Sequence, residues 1–139
     1  MDVLIDSNIV LDFILRREPH ADNAMLLVEK LIKGKTRMWL TASTITDIYY
    51  VTQRTLRNNA VSKNTIEKLL NTFQIAAVDK NDCLKALDLD ISDYEDALVS
   101  VCAQKAKAEY IITRNVEDFG KSPVPALSPQ AFLKQHNSI

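Results

Sequence analysis

The sequence predicts an α/β fold: a three-layer α/β/α sandwich with a central, mainly parallel sheet of four to five strands. Short apolar runs of strand length alternate along the chain with longer segments whose apolar residues recur at helical spacing. These longer segments can supply the crossovers that parallel strands need, and such alternation is typical of a sheet covered by helices on both faces. The length of 139 residues suits one domain, so we expect residues 1–139 to form a single domain.

The composition is that of an ordinary globular protein, with 47% hydrophobic and 25% charged residues. A formal net charge of -1 argues against a generic polyanion binder, so any contact with nucleic acid would be local. The only glycines, Gly34 and Gly120, exclude a GxGxxG fingerprint and a P-loop. Because no membrane-spanning apolar run and no signal peptide are visible, we expect a cytoplasmic protein without membrane contact. Cys83 and Cys102 stand alone in the sequence and are expected to be buried free thiols.

The opening segment places a carboxylate at the end of a strand. Val3, Leu4 and Ile5 form a wholly apolar run, as a strand covered on both faces requires, and the run stops at Asp6. Asn8 can cap the helix that follows. In an open α/β sheet, ligands bind in the crevice beyond the carboxyl ends of the strands. Asp6 is therefore a candidate site residue, although a single Asp here could also serve only to complement the positive end of the helix dipole.

The remaining elements follow from apolar spacing, capping residues and chain breakers. In the first half, the patterns predict a helix over 20–33 stopped by Gly34, a strand over 37–41, a helix starting at Ser43 or Thr44, a polar link over 58–63, a helix containing 66–73 and a strand over 75–78. In the second half, they predict a helix opened by Asp79-x-x-Asp82, a helix opened by the capping box Ser92-x-x-Glu95, a strand over 110–113, a short helical turn within 114–119, a minor strand over 124–127 and a final helix from Ser128-Pro129.

Several acidic residues stand close to the predicted strand ends. Asp6 follows the first strand, Asp47 lies in the first turn of the helix after the second, Asp93 and Asp96 begin the helix before the fourth, and Asp118 follows the fourth. If the first and fourth strands are neighbours, these acids converge at one end of the sheet. Clustered carboxylates repel one another, so a fold that gathers several usually holds a cation. Oxygen ligands alone indicate a hard ion, Mg²⁺ or Mn²⁺, and such ions support phosphodiester hydrolysis.

Four motifs, in this order, resemble those of the PIN domain family: Leu4-Ile5-Asp6-Ser7-Asn8, Asp47 on a helix, Asp93-Tyr94-Glu95-Asp96-Ala97-Leu98, and Ile112-Thr113-Arg114-Asn115-Val116-Glu117-Asp118-Phe119. The resemblance extends from Met1 to the neighbourhood of Phe132. That family contains metal-dependent ribonucleases, including the toxins of VapBC-type toxin–antitoxin pairs. The resemblance therefore implies an endoribonuclease that uses Mg²⁺ or Mn²⁺ and takes RNA as its substrate. It also implies a homodimer and, if the chain is a toxin, a cognate antitoxin protein as partner.

Position by position, the resemblance implies that Asp6, Asp96 and Asp118 are metal ligands or carboxylates that support them. Asp47 stands where the family more often has Glu, and Asp93 is a further candidate ligand. The supporting polar residues would be Ser7, Asn8, Thr113 and Asn115. Two departures matter: Asp47 is one methylene shorter than Glu and could reach a metal only through water, and Asn115 replaces an Asp found in many members. Both could weaken a second metal site.

Other charged residues have less specific interpretations. Arg16 and Arg114 could hold the RNA backbone near the acids, as could Arg17, Arg54 and Arg57, although scattered cations are usually solvated surface. Asp12 is expected to be a solvated helix residue. His20 and His136 lack a partner pattern and are given no catalytic role.

Two rival functions stay open at this point. One is a catalytically degraded PIN-fold module that binds RNA or a protein partner without cleaving it, and the Asp47 and Asn115 departures favour it. The other is a phosphatase of the haloacid-dehalogenase type, because Asp6 follows a strand and precedes a helix. That chemistry needs a second acid two residues later, where this chain has Asn8.

Overall fold

The structure of the protein is a computed structural model that describes residues 1–136. Within these residues the elements are β1 (Asp2–Ile5), α1 (Ser7–Leu15), α2 (Ala21–Lys33), β2 (Arg37–Thr41), α3 (Ala42–Leu56), α4 (Asn59–Thr72), β3 (Gln74–Ala76), α5 (Lys80–Leu87), α6 (Tyr94–Lys105), β4 (Tyr110–Ile112), a 3₁₀ helix (Val116–Phe119), β5 (Ala126–Leu127) and α7 (Pro129–Gln135). Strands and helices alternate along most of this length, as the sequence predicts.

The five strands form one parallel sheet in the order β3-β2-β1-β4-β5. The chain builds outward from β1 to β2 and β3, and then crosses back to add β4 and β5 on the other side of β1. β1 and β4 are therefore neighbours, with Ile5 paired to Ile112. A reversal of strand order of this kind opens a crevice at the carboxyl ends of the two strands.

The two faces of the sheet bury different side chains, because successive strand residues point to opposite sides. Val3, Ile5 and Ile112 contribute to a core shared with α1, α2, α3, α4 and α7. Leu4 and Ile111 contribute to a second core shared with α6. α5 completes that layer by packing on α6. The predicted α/β/α sandwich with a parallel sheet is confirmed.

Both cysteines are free thiols, as predicted. Cys102 is fully buried in the core between α6 and the sheet, and Cys83 is half-buried. Among residues 1–136, no helix has both the length and the apolar character needed to cross a membrane.

Three helices begin at different residues than their capping patterns predict. The N-cap residues are Asp6, Thr41 and Asp93, where the patterns predict Asn8, Ser43 or Thr44, and Ser92. α1 and α3 follow β1 and β2 so directly that an extended residue at the strand end becomes the N-cap. In α6, the Asp93 carboxylate accepts a hydrogen bond from the Asp96 N–H at 3.1 Å. An Asp-x-x-Asp cap thus overlaps, and replaces, the predicted Ser-x-x-Glu box.

The predicted polar link over 58–63 is wrong, because most of it is the first turn of α4. Asn58 is the N-cap, and its side-chain oxygen accepts a hydrogen bond from the Val61 N–H at 3.1 Å. The polar residues that suggested a link lie mainly on the exposed face of the helix, while Ser62 is fully buried.

Three strands are shorter than predicted. β3 and β5 cover Gln74–Ala76 and Ala126–Leu127, against predictions of 75–78 and 124–127, and β4 stops one residue before Thr113. Val78 and Val124 lie in loops, yet both pack against the core on the α6 side. Their apolar character reflects burial rather than strand pairing.

The capping box predicted at the start of α5 is confirmed. The Asp82 N–H donates to Asp79 at 2.9 Å, and the Asp79 N–H donates to Asp82 at 3.0 Å. Asp82 is also buried, and Lys105 of α6 donates a hydrogen bond to it. This Lys105 hydrogen bond lowers the pKa of Asp82. Lys105 also donates to the Ala77 carbonyl at 2.8 Å and so ties the end of β3 to α6.

Two Asn→Ala substitutions, one at the N-cap of α4 and one inside the helix, test where α4 begins. Asn58→Ala removes the N-cap and should lower the free energy of unfolding by about 1 kcal/mol. Asn64→Ala, at an exposed position inside the same helix, should raise it by a few tenths of a kcal/mol, because Ala is the better helix former. Urea denaturation measures both. If residues 58–63 were a loop, Asn58→Ala would have almost no effect.

Candidate active site

A cleft of about 230 Å³ lies at the carboxyl ends of β1 and β4. We call it the acid cleft, and its lining residues are Asp6, Ser7, Asn8, Asp93, Glu95, Asp96, Asn115, Asp118 and Phe119. Five of these carry carboxylates, and none of the nine is a lysine, arginine or histidine. Three segments that are distant in the sequence thus supply Asp6, Asp96 and Asp118 to one cleft.

Asp6 is held where β1 gives way to α1. Its backbone N–H donates to the Ile112 carbonyl at 2.9 Å, which extends the β1–β4 pairing by one residue. The Thr113 hydroxyl donates to the Asp6 carboxylate at 2.7 Å, and the Asn115 N–H donates to that same hydroxyl oxygen at 3.0 Å. Thr113 is fully buried. The chain from Asn115 through Thr113 to Asp6 therefore fixes the orientation of the carboxylate.

The first turn of α6 supplies the acids on a second side of the cleft. Asp93 uses one carboxylate oxygen to cap the helix at the Asp96 N–H. Asp96 is half-buried and Glu95 is exposed, and both line the cleft. Asp118 comes from the 3₁₀ helix after β4 and is exposed at the cleft.

Burial and mutual repulsion favour the protonated forms of these acids. Burial, followed by the charges of Asp93, Asp6, Asp118 and Glu95, raises the pKa of Asp96 to about 7. Burial also raises the pKa of Asp6, although the Thr113 hydroxyl, the Asn8 and Ser7 N–H groups and the Arg114 charge act in the opposite direction. The pKa of Glu95, which is only partly desolvated in the cleft, is raised by that desolvation and then by the charges of Asp47, Asp93 and Asp6. The cleft therefore has more negative charge than its surroundings compensate.

Asp47 is an exposed residue of α3 and lies outside the lining of the acid cleft. The prediction that it lies in the first turn is wrong, because α3 begins at Ala42 and places Asp47 in its second turn. Its charge raises the pKa of Glu95, so it lies within electrostatic reach of the cleft. Glu95 is the cleft carboxylate that the sequence analysis missed, because it was assigned to a capping box. The run Asp93-Tyr94-Glu95-Asp96 contained the signal, since a helix that starts at Tyr94 exposes Glu95 in its first turn.

Asp12 is the centre of an ion cluster beside the cleft. The expectation that it is solvated is wrong: Asp12 is 1% exposed. The Arg17 Nε donates to it at 2.9 Å, and the Arg114 Nε lies 2.9 Å from its other carboxylate oxygen. Arg17 also donates to the Asn8 carbonyl at 3.0 Å. We call Asp12, Arg17 and Arg114 the arginine clamp.

The other predicted backbone-binding arginines lie elsewhere. Arg16 caps the end of α1 and lines an apolar groove with residues such as Phe13, Met25 and Phe73, not the acid cleft. Arg54 and Arg57 are exposed at the end of α3. Of the two arginines favoured by the sequence, only Arg114 borders the acid cleft, as the neighbour of Thr113 and Asn115.

The sequence of the chain is similar to a known protein family. A family model described as the PIN domain matches residues 2–117. This protein belongs to the PIN domain family. The matched range contains the lining residues of the acid cleft with the exception of Asp118 and Phe119. No curated protein matches this PIN domain by sequence.

Solved structures show the same fold at low sequence identity. VapBC2 from Rickettsia felis, bound to a DNA fragment from its promoter, gives a TM-score of 0.71 at 16% identity, and the match covers 92% of this PIN domain and 98% of that chain. VapBC-1 from Haemophilus influenzae gives a TM-score of 0.69 at 16% identity, with 94% and 99% covered. A toxin–antitoxin complex from Klebsiella pneumoniae gives 0.67 at 21% identity, with 91% and 97% covered. At these identities, the similarity establishes the fold of this PIN domain.

The donor set of this PIN domain fits a hard divalent cation. The side chains that line the acid cleft can offer a metal ion oxygen ligands from carboxylates, amides and a hydroxyl. Oxygen ligands of this kind suit Mg²⁺ or Mn²⁺. Within residues 1–136, no three carboxylate, imidazole or thiol side chains are already close enough together to hold a metal ion. A cation would therefore have to draw the carboxylates together, and the raised pKa of Asp96 shows the repulsion that it would relieve.

The charge in the cleft predicts a pH-dependent stability. The pKa of Asp96 rises from an ordinary value of 3.8 to about 7, so the folded protein binds this proton more tightly than the unfolded chain does. The free energy of unfolding should therefore fall as the pH rises from about 4 to about 7. In a metal-free buffer, Asp96→Asn should raise the Tm by several degrees at pH 8 and have little effect at pH 4. Differential scanning calorimetry at both pH values measures this.

The matched control is Asp90→Asn, which makes the same change at an exposed loop residue outside the cleft. Its Tm should differ little from that of the unchanged protein at both pH values. An Asp96→Asn effect of equal size at pH 4 and pH 8 would contradict the electrostatic account.

Proposed function

We propose that this PIN domain is a metal-dependent endoribonuclease that hydrolyses phosphodiester bonds of RNA. The observation that carries the proposal is the meeting of Asp6, Asp96 and Asp118 in one cleft at the carboxyl ends of the neighbouring strands β1 and β4. A cleft lined by carboxylates repels a phosphodiester unless a cation stands between them. Membership in the PIN domain family supports nuclease chemistry as the purpose of such a cleft.

Asp6, Asp96 and Asp118 would hold Mg²⁺ or Mn²⁺, and Asp93 would add its oxygen that does not cap α6. The bound ion would supply a Lewis acid that activates water and offsets charge on the phosphoryl oxygens. Asp47 lies outside the cleft lining, so its contribution would be electrostatic or would pass through water.

The remaining polar residues have supporting tasks in this proposal. Thr113 orients Asp6 through its 2.7 Å hydrogen bond, and Asn115 orients Thr113 in turn. Ser7 and Asn8 line the cleft beside Asp6 and can position water or a phosphate oxygen. Arg114 supplies positive charge at the border of an otherwise acidic surface. These residues would align the phosphodiester with the ion before reaction.

The proposal includes a protein partner. The structures of VapBC-1 and of the Klebsiella pneumoniae complex represent toxin–antitoxin systems, which supports the view that this chain is the toxin of such a pair. An antitoxin protein would then bind it and block cleavage. The proposal also includes the homodimer that the family resemblance implies. Leu84 and Leu87 of α5, exposed by 53% and 68%, are apolar side chains that an interface could cover.

The first functional prediction concerns the acids. Asp6→Asn and Asp118→Asn should each reduce the kcat for RNA cleavage by more than about 100-fold, beyond the loss typical of residues that only orient ligands. Cleavage of a mixed-sequence RNA, followed on denaturing gels with Mg²⁺, with Mn²⁺ or with a chelator, measures this. Activity should be absent with the chelator. Asp90→Asn, the same change in an exposed loop, should keep full activity.

Cleavage that persists in Asp6→Asn would refute the proposal. If the unchanged protein binds RNA equally with and without Mg²⁺ and never cleaves it, the degraded binding module is the correct function. The absence of a preformed group of three donors within residues 1–136 is the observation that favours this second candidate.

A second prediction isolates the hydrogen bond to Asp6. Thr113→Val keeps the size of the buried side chain but removes the hydroxyl, and should lower kcat about 10- to 100-fold, as expected for a group that orients a ligand. Thr113→Ser retains the hydroxyl and should restore most of the activity. Thermal unfolding of both variants controls for stability. Equal losses in the Val and Ser variants would show that the hydroxyl has no role in orienting Asp6.

A further inference from the structure

A second pocket, of about 130 Å³, lies beside the arginine clamp. We call it the arginine pocket, and its polar lining residues are Asp12, His20, Asn23, Arg114, Ser128 and Gln130. It is distinct from the acid cleft, with which it shares no lining residue. None of these residues except Arg114 belongs to the proposed catalytic machinery.

The arginine pocket and the acid cleft are neighbours. Asn8 lines the cleft and Asp12 lines the pocket, and both belong to α1. Residues four apart lie on the same side of a helix, about one 5.4 Å turn apart. Arg114 of the pocket and Asn115 of the cleft are consecutive in the chain. The arginine pocket and the acid cleft therefore lie next to each other.

The charge of the arginine clamp is not balanced. Asp12 contributes one negative charge and faces the two positive charges of Arg17 and Arg114. Arg114 Nη2 donates to one Asp12 carboxylate oxygen at 3.4 Å, and Nε lies 2.9 Å from the other oxygen without a hydrogen bond. A guanidinium carries five N–H donors, so this geometry leaves donors for a further anion. The side chain of Arg114 is 29% exposed and can be reached from solvent.

We infer that the arginine pocket binds a second phosphate of the RNA strand, next to the phosphate that lies in the acid cleft. This inference rests on the proposed function for the identity of the strand. Arg114 would contact the phosphate, and Asp12 and Arg17 would act as positioning residues that hold its guanidinium. Asn23, Ser128 and Gln130 would donate neutral hydrogen bonds. Arg17 does not line the pocket, but it offsets the charge of Asp12 and so leaves the positive charge of Arg114 available to an anion. A positive charge and hydrogen-bond donors are the features that bind phosphates of a nucleic acid backbone.

The test places a negative charge in the pocket without disturbing the fold. Asn23→Asp and Gln130→Glu both lie in the first turn of a helix, where an acidic residue is favourable. Each is made in the Asp6→Asn background, so that binding is measured without cleavage. Fluorescence anisotropy with a short single-stranded RNA of mixed sequence, in Mg²⁺ and at several salt concentrations, gives the affinity and its salt dependence.

Each variant should weaken binding about threefold or more at low salt. The slope of log affinity against log salt should become shallower by about 0.7, the value for one lost phosphate contact on a single strand. Gln135→Glu is the matched control, because it makes the same change at the other end of α7, outside the pocket. It should leave the slope unchanged.

Equal losses of affinity and slope in Gln130→Glu and Gln135→Glu would overturn the inference, since they would reflect net charge alone. Unchanged binding in the pocket variants, or no RNA binding by the Asp6→Asn background, would also overturn it. The outcome is separate from the nuclease proposal. If the unchanged protein cleaves RNA but the pocket variants keep its salt slope, the pocket inference is refuted and the nuclease proposal stands. If the pocket variants show a shallower salt slope but the unchanged protein does not cleave RNA, the nuclease proposal is refuted and the pocket inference stands.

Discussion

The pairing of β1 with β4 is the constraint on which the candidate site depends. These strands are neighbours because the chain crosses back over the sheet after β3, and the Thr113 hydroxyl then meets the Asp6 carboxylate across 107 residues of sequence. The same pairing brings the first turn of α6 and the 3₁₀ helix to the end of β1. Cores on both faces of the sheet fix this arrangement, so the acids stay close despite their repulsion.

That repulsion has an energetic consequence. The pKa of Asp96 is raised to about 7 mainly by burial and then by four other carboxylates, so ionising it opposes folding. The N-cap of α6 is provided by Asp93, so the Asp96 side chain is not needed to cap the helix. Residues that lower the free energy of unfolding are typical of functional sites, because activity often depends on strained or destabilised groups. The acid cleft fits this description.

The sequence predicted the fold and the convergence of Asp6, Asp96 and Asp118 because both depend on order along the chain. Strand ends alternate with helix starts, and a parallel sheet places them at one edge. The sequence could not predict features that depend on contacts between distant residues, or on which of two adjacent residues caps a helix. Asp12 looked solvated because its partner Arg114 is 102 residues away, and Glu95 was missed because Asp93, not Ser92, caps α6. Asn58 looked like part of a link because N-cap and loop residues have the same composition.

The proposed roles of the acid cleft and the arginine clamp depend on each other. The acid cleft alone would repel a phosphodiester, and the arginine clamp alone would hold a phosphate where no catalytic group can reach it. One turn of α1 separates Asn8 in the first site from Asp12 in the second, so the two sites lie about one helical pitch apart. Electrostatic interactions at such short range are only partly screened by salt. If the substrate is RNA, as proposed, a strand held at the clamp would lie against the carboxylates that would otherwise exclude it, and the closeness of the two sites would position the strand.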